Sequence, residues 1–169
     1  MTEATLLRLL LLRHAKSAYP DGVADHDRPL APRGVREAGL AGDWLRANVP
    51  AIDAVLCSTA TRARQTLSHS GVDAPVRYAR RLYGATPGMV IDEINAVSEQ
   101  VTTLLVVGHE PTMSGLARIL AGADGTDTAA LERLSAKYPT SAIAVLAVPC
   151  GWPALERGRA ALTAFHIPR

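Results

Sequence analysis

Three short polar segments interrupt apolar runs at places where phosphate chemistry could be done: Arg13-His14, Arg62 and His109. Arg13-His14 closes the run Leu7 to Leu12, and His109 follows Thr103 to Val107 and Gly108. Arg62 falls in the first turn or so after the run Ile52 to Cys57. An imidazole supplies a nitrogen nucleophile near neutral pH, and forked guanidinium groups match the oxygens of a tetrahedral anion better than point charges do. Phosphoryl transfer spreads charge over three equatorial oxygens, so a nucleophile ringed by two arginines and a second imidazole is close to the minimum equipment for it. Attack by His14 needs one ring nitrogen unprotonated and the other held by an acceptor, expected to be a backbone carbonyl of a neighbouring loop.

Such residues meet only if the elements carrying them run side by side. Leu7 to Leu12 and Thr103 to Val107 read as central strands covered on both faces, Ile52 to Cys57 as a third, and Pro75 to Tyr78 as a short further one. Helical patterns lie between them: Arg33 to Asn48 with Val35, Ala38, Trp44 and Leu45 inward, a helix to about His69 capped by Ser58 or Thr59, Pro87 to Val97, and Pro111 to about Leu120. Ala121 to Ala130 reads as a loop. Ser141 to Val148 and Ala160 to Phe165 read as two final strands, antiparallel at the sheet edge. Alternating strands and helices predict a single-domain three-layer α/β/α sandwich over residues 1–169, with a mostly parallel central sheet and an antiparallel edge strand. In parallel sheets ligands bind at the C-terminal strand ends, where all three polar segments fall.

Composition narrows the partners. At 169 residues the chain fits one domain that needs no disulfide or metal to hold it. A net charge of +2 is too small for bulk polyanion binding, and 4% aromatic content argues against base-stacking platforms, so no nucleic-acid partner is expected. The leucine-rich start from Thr5 to Arg13 has an arginine in its middle and is too short to span a bilayer, which predicts a cytoplasmic protein with no membrane partner. Cys57 and Cys150 read as separate buried thiols. Asp25-His26-Asp27 is too compressed for a metal-ligand spacing, and no metal or other cofactor is expected. Arg77, Arg80 and Arg81 read as a solvated face rather than a docking patch.

Leu12-Arg13-His14-Ala15-Lys16-Ser17 resembles the Arg-His-Gly signature of the histidine phosphatase superfamily, with alanine in the glycine place as in its small SixA-like phosphohistidine phosphatase branch. Asp27-Arg28-Pro29-Leu30 with Arg33-Gly34, Ser58 to Thr66, Leu82-Tyr83, Val107 to Pro111 and Tyr138-Pro139-Thr140 match in order, spanning residues 6 to about 148. The resemblance implies that His14 becomes phosphorylated while Arg13, Arg62 and His109 form the phosphate pocket. Lys16, Ser17 and Arg28 are further candidates to line it.

Where larger members of that superfamily place a carboxylic acid to protonate the leaving group, this chain reads Arg80 to Thr86, with no carboxylate. An alkoxide needs a proton as its bond breaks, whereas the imidazole of a phosphohistidine can depart neutral. The expected activity is therefore metal-independent dephosphorylation of phosphohistidine on a signalling or carrier protein, with Asp27, Asp92, Glu93 and Glu110 as the carboxylates that could supply a proton from elsewhere. The alternatives are a phosphatase of small esters or nucleotides, and a module that binds phosphate without hydrolysing it.

Overall fold

The computed structural model describes residues 6–122 and 124–169; Thr5, which begins the leucine-rich start, and Ala123 within the Ala121 to Ala130 segment lie outside them. Six strands form one sheet: β1 (Leu7–Arg13), β2 (Ala54–Ser58), β3 (Val76–Ala79), β4 (Thr103–Gly108), β5 (Ile143–Val148) and β6 (Ala161–His166). Their spatial order is β3-β2-β4-β1-β5-β6. The first four positions are parallel, while β5 runs against both β1 and β6. The antiparallel pairing therefore lies at the expected edge, and the reversed strand is β5, one in from the rim.

Leu9, Leu10, Leu11 and Leu12 are all fully buried, which requires cover on both faces of β1. Leu10, Leu12, Leu105 and Val107 pack with Ala41 and Leu45 of α1 (Pro32–Asn48) and with Ala63 and Leu67 of α2 (Thr61–Ser70). Leu9, Leu11, Leu104 and Val106 share the opposite core with α3 (Pro87–Asn95), α4 (Thr112–Leu120) and α5 (Thr128–Ala136). These are the three expected layers.

Three details depart from the sequence reading. Val35 of α1 is exposed, because the buried stripe runs through Gly34, Ala38, Ala41 and Leu45 instead. The α2 N-cap is Ala60, with no side-chain cap; the Ser58 hydroxyl accepts from the Ala60 amide but is also engaged with His109. The segment read as a loop ends inside α5, whose Asp127 cap accepts from the Ala130 amide.

Two glycines set how closely these parts approach. A Cβ on Gly42 would lie 1.8 Å from the Ser70 carbonyl oxygen, so glycine lets α1 sit directly on the end of α2. A Cβ on Gly34 would lie 2.1 Å from the Lys16 carbonyl oxygen, so α1 also presses on the loop that follows His14.

Candidate active site

Strand register brings the polar segments together. Arg13 pairs with Gly108 between β1 and β4, and the His14 amide continues the ladder by donating to the Gly108 carbonyl at 2.9 Å. His14 and His109 thus leave adjacent strand ends with ring centroids 5.1 Å apart. Cys57 pairs with Val107 on the other side of β4, which sets Ser58 beside His109 and starts α2, with Arg62 in its first turn, at the same rim.

A cavity of about 220 Å³ lies where they meet. Arg13, His14, Arg62 and His109 line it, and so do Lys16, Ser17 and Arg28; all seven residues singled out in the sequence are in this one place. His14, Arg62 and His109 are buried, Arg13 is half-buried and Lys16 is exposed. Ser17 and Arg28 are joined, Arg28 Nη1 donating to Ser17 Oγ at 2.6 Å, with the Arg28 guanidinium over the exposed Tyr19 ring.

His14 is arranged as a nitrogen base. Its Nδ1 lies 2.7 Å from the Ala15 carbonyl oxygen, and a carbonyl only accepts, so Nδ1 carries the hydrogen and the Nε2 lone pair is free. The carbonyl belongs to the next residue rather than to a separate loop. Burial pushes the ring down to about 3, with His109, Arg62 and Arg13 acting in the same direction against the Ala15 bond. His109 is likewise pushed down to about 4, first by burial and then by Arg62. Both rings are neutral at physiological pH.

The pocket also holds donors with nothing to donate to. His109 Nε2 is 2.8 Å from Ser58 Oγ, which already accepts from the Ala60 amide; among the described residues that ring nitrogen is the only acceptor for the hydroxyl hydrogen. With the Ser58 hydroxyl as donor in this pair, the ring hydrogen sits on Nδ1, a buried atom with no partner among the described residues. Arg13 donates through Nη1 to the Tyr138 carbonyl at 2.8 Å, yet its Nε is buried and unpartnered, as is Arg62 Nε. Leaving a buried donor unmade costs on the order of 1–3 kcal/mol, so three of them around one cavity describe a cradle for an anion.

Asp25 is the residue that sequence reasoning missed. Its carboxylate accepts from Arg28 Nε at 3.0 Å, Arg62 Nη2 at 3.1 Å and the Tyr83 hydroxyl at 2.5 Å, while its backbone carbonyl accepts from Arg62 Nη1 at 2.6 Å. These partners, Tyr83 first, hold the carboxyl well below the usual carboxylate range, and the same bond pushes the Tyr83 phenol up. The signal in the sequence was the spacing to Arg28; the expectation instead set Asp27 in that motif, and Asp27 is exposed with only a 3.5 Å contact to His26. Thr66 was overlooked too. Its hydroxyl donates to the Arg62 carbonyl at 2.7 Å and accepts from the Ala15 amide at 2.8 Å.

Cys57 is buried, with its thiol pushed up to about 12 by that burial, whereas Cys150 is partly exposed. Arg77, Arg80 and Arg81 are all exposed, as expected of a solvated face, and Arg77 and Arg81 also reach the buried carboxylate of Glu93, at 2.8 and 3.3 Å. Asp92 lies 3.8 Å from Arg81, and neither Asp92 nor Glu93 lines the cavity. Glu110 does line it, but both of its oxygens accept from Ser114, one from the amide and one from the hydroxyl, each at 2.6 Å.

The pattern of the histidine phosphatase superfamily (branch 1) matches residues 9–89. Phosphohistidine phosphatase SixA of Escherichia coli K12 is 32% identical over 117 residues, covering 65% of this chain and 71% of SixA. The chain belongs to the histidine phosphatase superfamily. A solved SixA protein from Nakamurella multipartitia superposes with a TM-score of 0.90 at 39% identity, covering 99% of both chains. An uncharacterized protein of Mycobacterium tuberculosis H37Rv is 72% identical over 158 residues, covering 94% of this chain and 100% of that protein. This histidine phosphatase is SixA-like in fold throughout, and among the described residues no helix is long and apolar enough to cross a membrane.

Proposed function

We propose that this histidine phosphatase removes phosphate from phosphohistidine on a protein through a phosphorylated His14, as a single domain acting in the cytoplasm. The observation that carries the reading is the set of three unpartnered buried donors, Arg13 Nε, Arg62 Nε and His109 Nδ1, beside an imidazole whose Nε2 is free. In the first half-reaction Nε2 of His14 bonds to phosphorus as the bond to the leaving group breaks. In the second, water takes the phosphoryl group and His14 is returned. Arg13 and Arg62 supply the cationic charge that the transferring oxygens need, so the reaction is read as metal-independent.

The state of the nearby carboxylates supports the choice of bond. Asp25 is kept ionised by Tyr83, Arg28 and Arg62, and both oxygens of Glu110 are engaged by Ser114, so neither is free to serve a departing alkoxide. A phosphohistidine whose second ring nitrogen is protonated needs no added proton, because it leaves as neutral imidazole. The E. coli relative carries the name phosphohistidine phosphatase, which agrees with this choice.

The test is a phosphorylation trap combined with a substrate comparison. Quenched turnover should show acid-labile, base-stable label on the protein that is absent from His14→Ala. Turnover of a phosphohistidine protein or phosphoramidate should exceed that of sugar and nucleotide phosphates. Faster ester cleavage by several decades would transfer the reading to small esters or nucleotides, and absence of label with tight phosphate binding would reduce the protein to a phosphate-binding module.

A further inference from the structure

A second groove, of about 440 Å³, adjoins the phosphate cavity and shares Arg62, His109 and Glu110 with it. Asp25, Tyr83 and Pro111 are among its other walls, and His14 is not among the residues that line it. Arg62 and His109 thus stand in the walls of both spaces. In an in-line displacement the leaving group departs on the side opposite the nucleophile, and a space walled by the phosphate donors but not by the nucleophile fits that requirement.

Its two carboxylates differ in what they have left to offer. Both oxygens of Glu110 are bound to Ser114. The Asp25 side chain is 57% exposed; Oδ2 accepts from Arg62 and Tyr83, but Oδ1 accepts from Arg28 alone. An ionised carboxylate has about four acceptor positions, so Oδ1 keeps one for a ligand.

We propose that Asp25 binds the leaving imidazole of the substrate, Oδ1 accepting a hydrogen bond from the protonated ring nitrogen that does not carry phosphorus. The inference rests on the phosphohistidine reading above and gives that reaction its specificity. When the P–N bond breaks, its electron pair returns to the ring. If the other ring nitrogen is protonated the product is neutral imidazole; if it is not, the product is imidazolate, a far poorer leaving group. Asp25 holds the substrate in the first state. Tyr83, Arg28 and Arg62 keep the carboxylate too weak a base to take the proton away, and His109 across the groove is neutral. The new bond is His14 Nε2 to phosphorus, the broken bond is phosphorus to substrate nitrogen, and the proton stays on the departing ring. A phosphate ester has no N–H to place there, so the contact favours P–N over P–O substrates.

Asp25→Asn separates this role from the clamping of Arg28 and Arg62 when two substrates are compared: a phosphohistidine peptide, and p-nitrophenyl phosphate, whose phenolate leaves without a proton. The expected result is that kcat/KM falls about 10- to 100-fold further for the peptide than for the ester, the scale of one hydrogen bond to a charged group. Equal losses on both substrates would overturn the proposal and leave Asp25 as a clamp only. A second measurement uses the unaltered protein, comparing phosphoimidazole with its analogue methylated on the remote nitrogen, each corrected for uncatalysed hydrolysis. The methylated ring keeps the positive charge but has no N–H, and kcat/KM is expected to fall about 10-fold or more; equal values would overturn the proposal. A protein that labels on His14 and cleaves the ester but neither phosphoimidazole nor the peptide would refute the substrate assignment while leaving its phosphatase chemistry intact.

Discussion

The Thr66 hydroxyl accepts the Ala15 amide at 2.8 Å, linking the second turn of α2 to the residue whose carbonyl orients His14. The same hydroxyl donates to the carbonyl of Arg62, and the Ala15 carbonyl in turn holds His14 Nδ1. One buried oxygen therefore ties the proposed nucleophile to the arginine opposite it.

Thr66→Val keeps the volume of this side chain and removes its hydroxyl. It leaves the buried Ala15 amide unpaired and is expected to cost about 1–3 kcal/mol in urea unfolding. It should also lower kcat at least about 10-fold with little change in KM, since misorientation of His14 acts on the transition state. Thr66→Ser, which retains the oxygen, should recover most of kcat.

Arg62→Ala removes one donor from the cradle. The barrier should rise by about 3 kcal/mol, or roughly 100-fold or more in kcat/KM. Steady-state turnover of phosphoramidate measures it, and the phosphohistidine label should form more slowly in a quenched-flow trace.

Gly34→Ala would press on the Lys16 carbonyl from α1. That carbonyl accepts from the Ala31 amide, so the loop after His14 must shift or lose this bond. A stability loss of about 1–3 kcal/mol is expected from the overpacking. Activity should fall even well below the unfolding midpoint. Comparing specific activity with the fraction folded at several urea concentrations separates the two effects.

The two neutral histidines set the acid behaviour. An unfolded imidazole takes up its proton near 6.5, whereas His14 and His109 resist it to about 3 and 4. Between those limits the unfolded chain binds more protons, so stability falls as pH drops from 6.5 toward 4. The loss should reach roughly 3 kcal/mol for each ring. Urea midpoints across this range should show it, and His14→Ala combined with His109→Ala should flatten the slope. In the free enzyme His14 stays deprotonated through the same window, so the acid limb of kcat/KM should lie well below 6.5, where an unperturbed imidazole would place it.

The parts of the site carried by continuous apolar strands were legible before the structure. β1 and β4 carry unbroken buried runs, Leu9 to Leu12 and Thr103 to Gly108, and their ends fix Arg13, His14 and His109. Helix α5 was not, because only Ala130 and Leu134 are buried in it and its Asp127 cap sits in a tract of Gly, Thr and Asp that also suits a loop. Asp25 was hidden for a different reason. Asp21, Asp25 and Asp27 share one polar loop, and only the three-residue helical turn at Asp25–Asp27 decides which carboxylate meets Arg62. Side chains that act through a neighbour, such as Thr66 and Ser58, leave no pattern of their own, since their value lies in what their hydroxyls reach across the sheet.

The order β2-β4-β1 makes the strands that present Ser58, His109 and Arg13 immediate neighbours in a hydrogen-bonded sheet. No hinge divides these contributors, and they cannot close on a ligand by swinging together. Selectivity that other enzymes draw from folding over their substrate must come here from fixed groups around the mouth, so retargeting the protein means rewriting its lip, at Lys16, Tyr19, Asp25 and Arg28, rather than its floor.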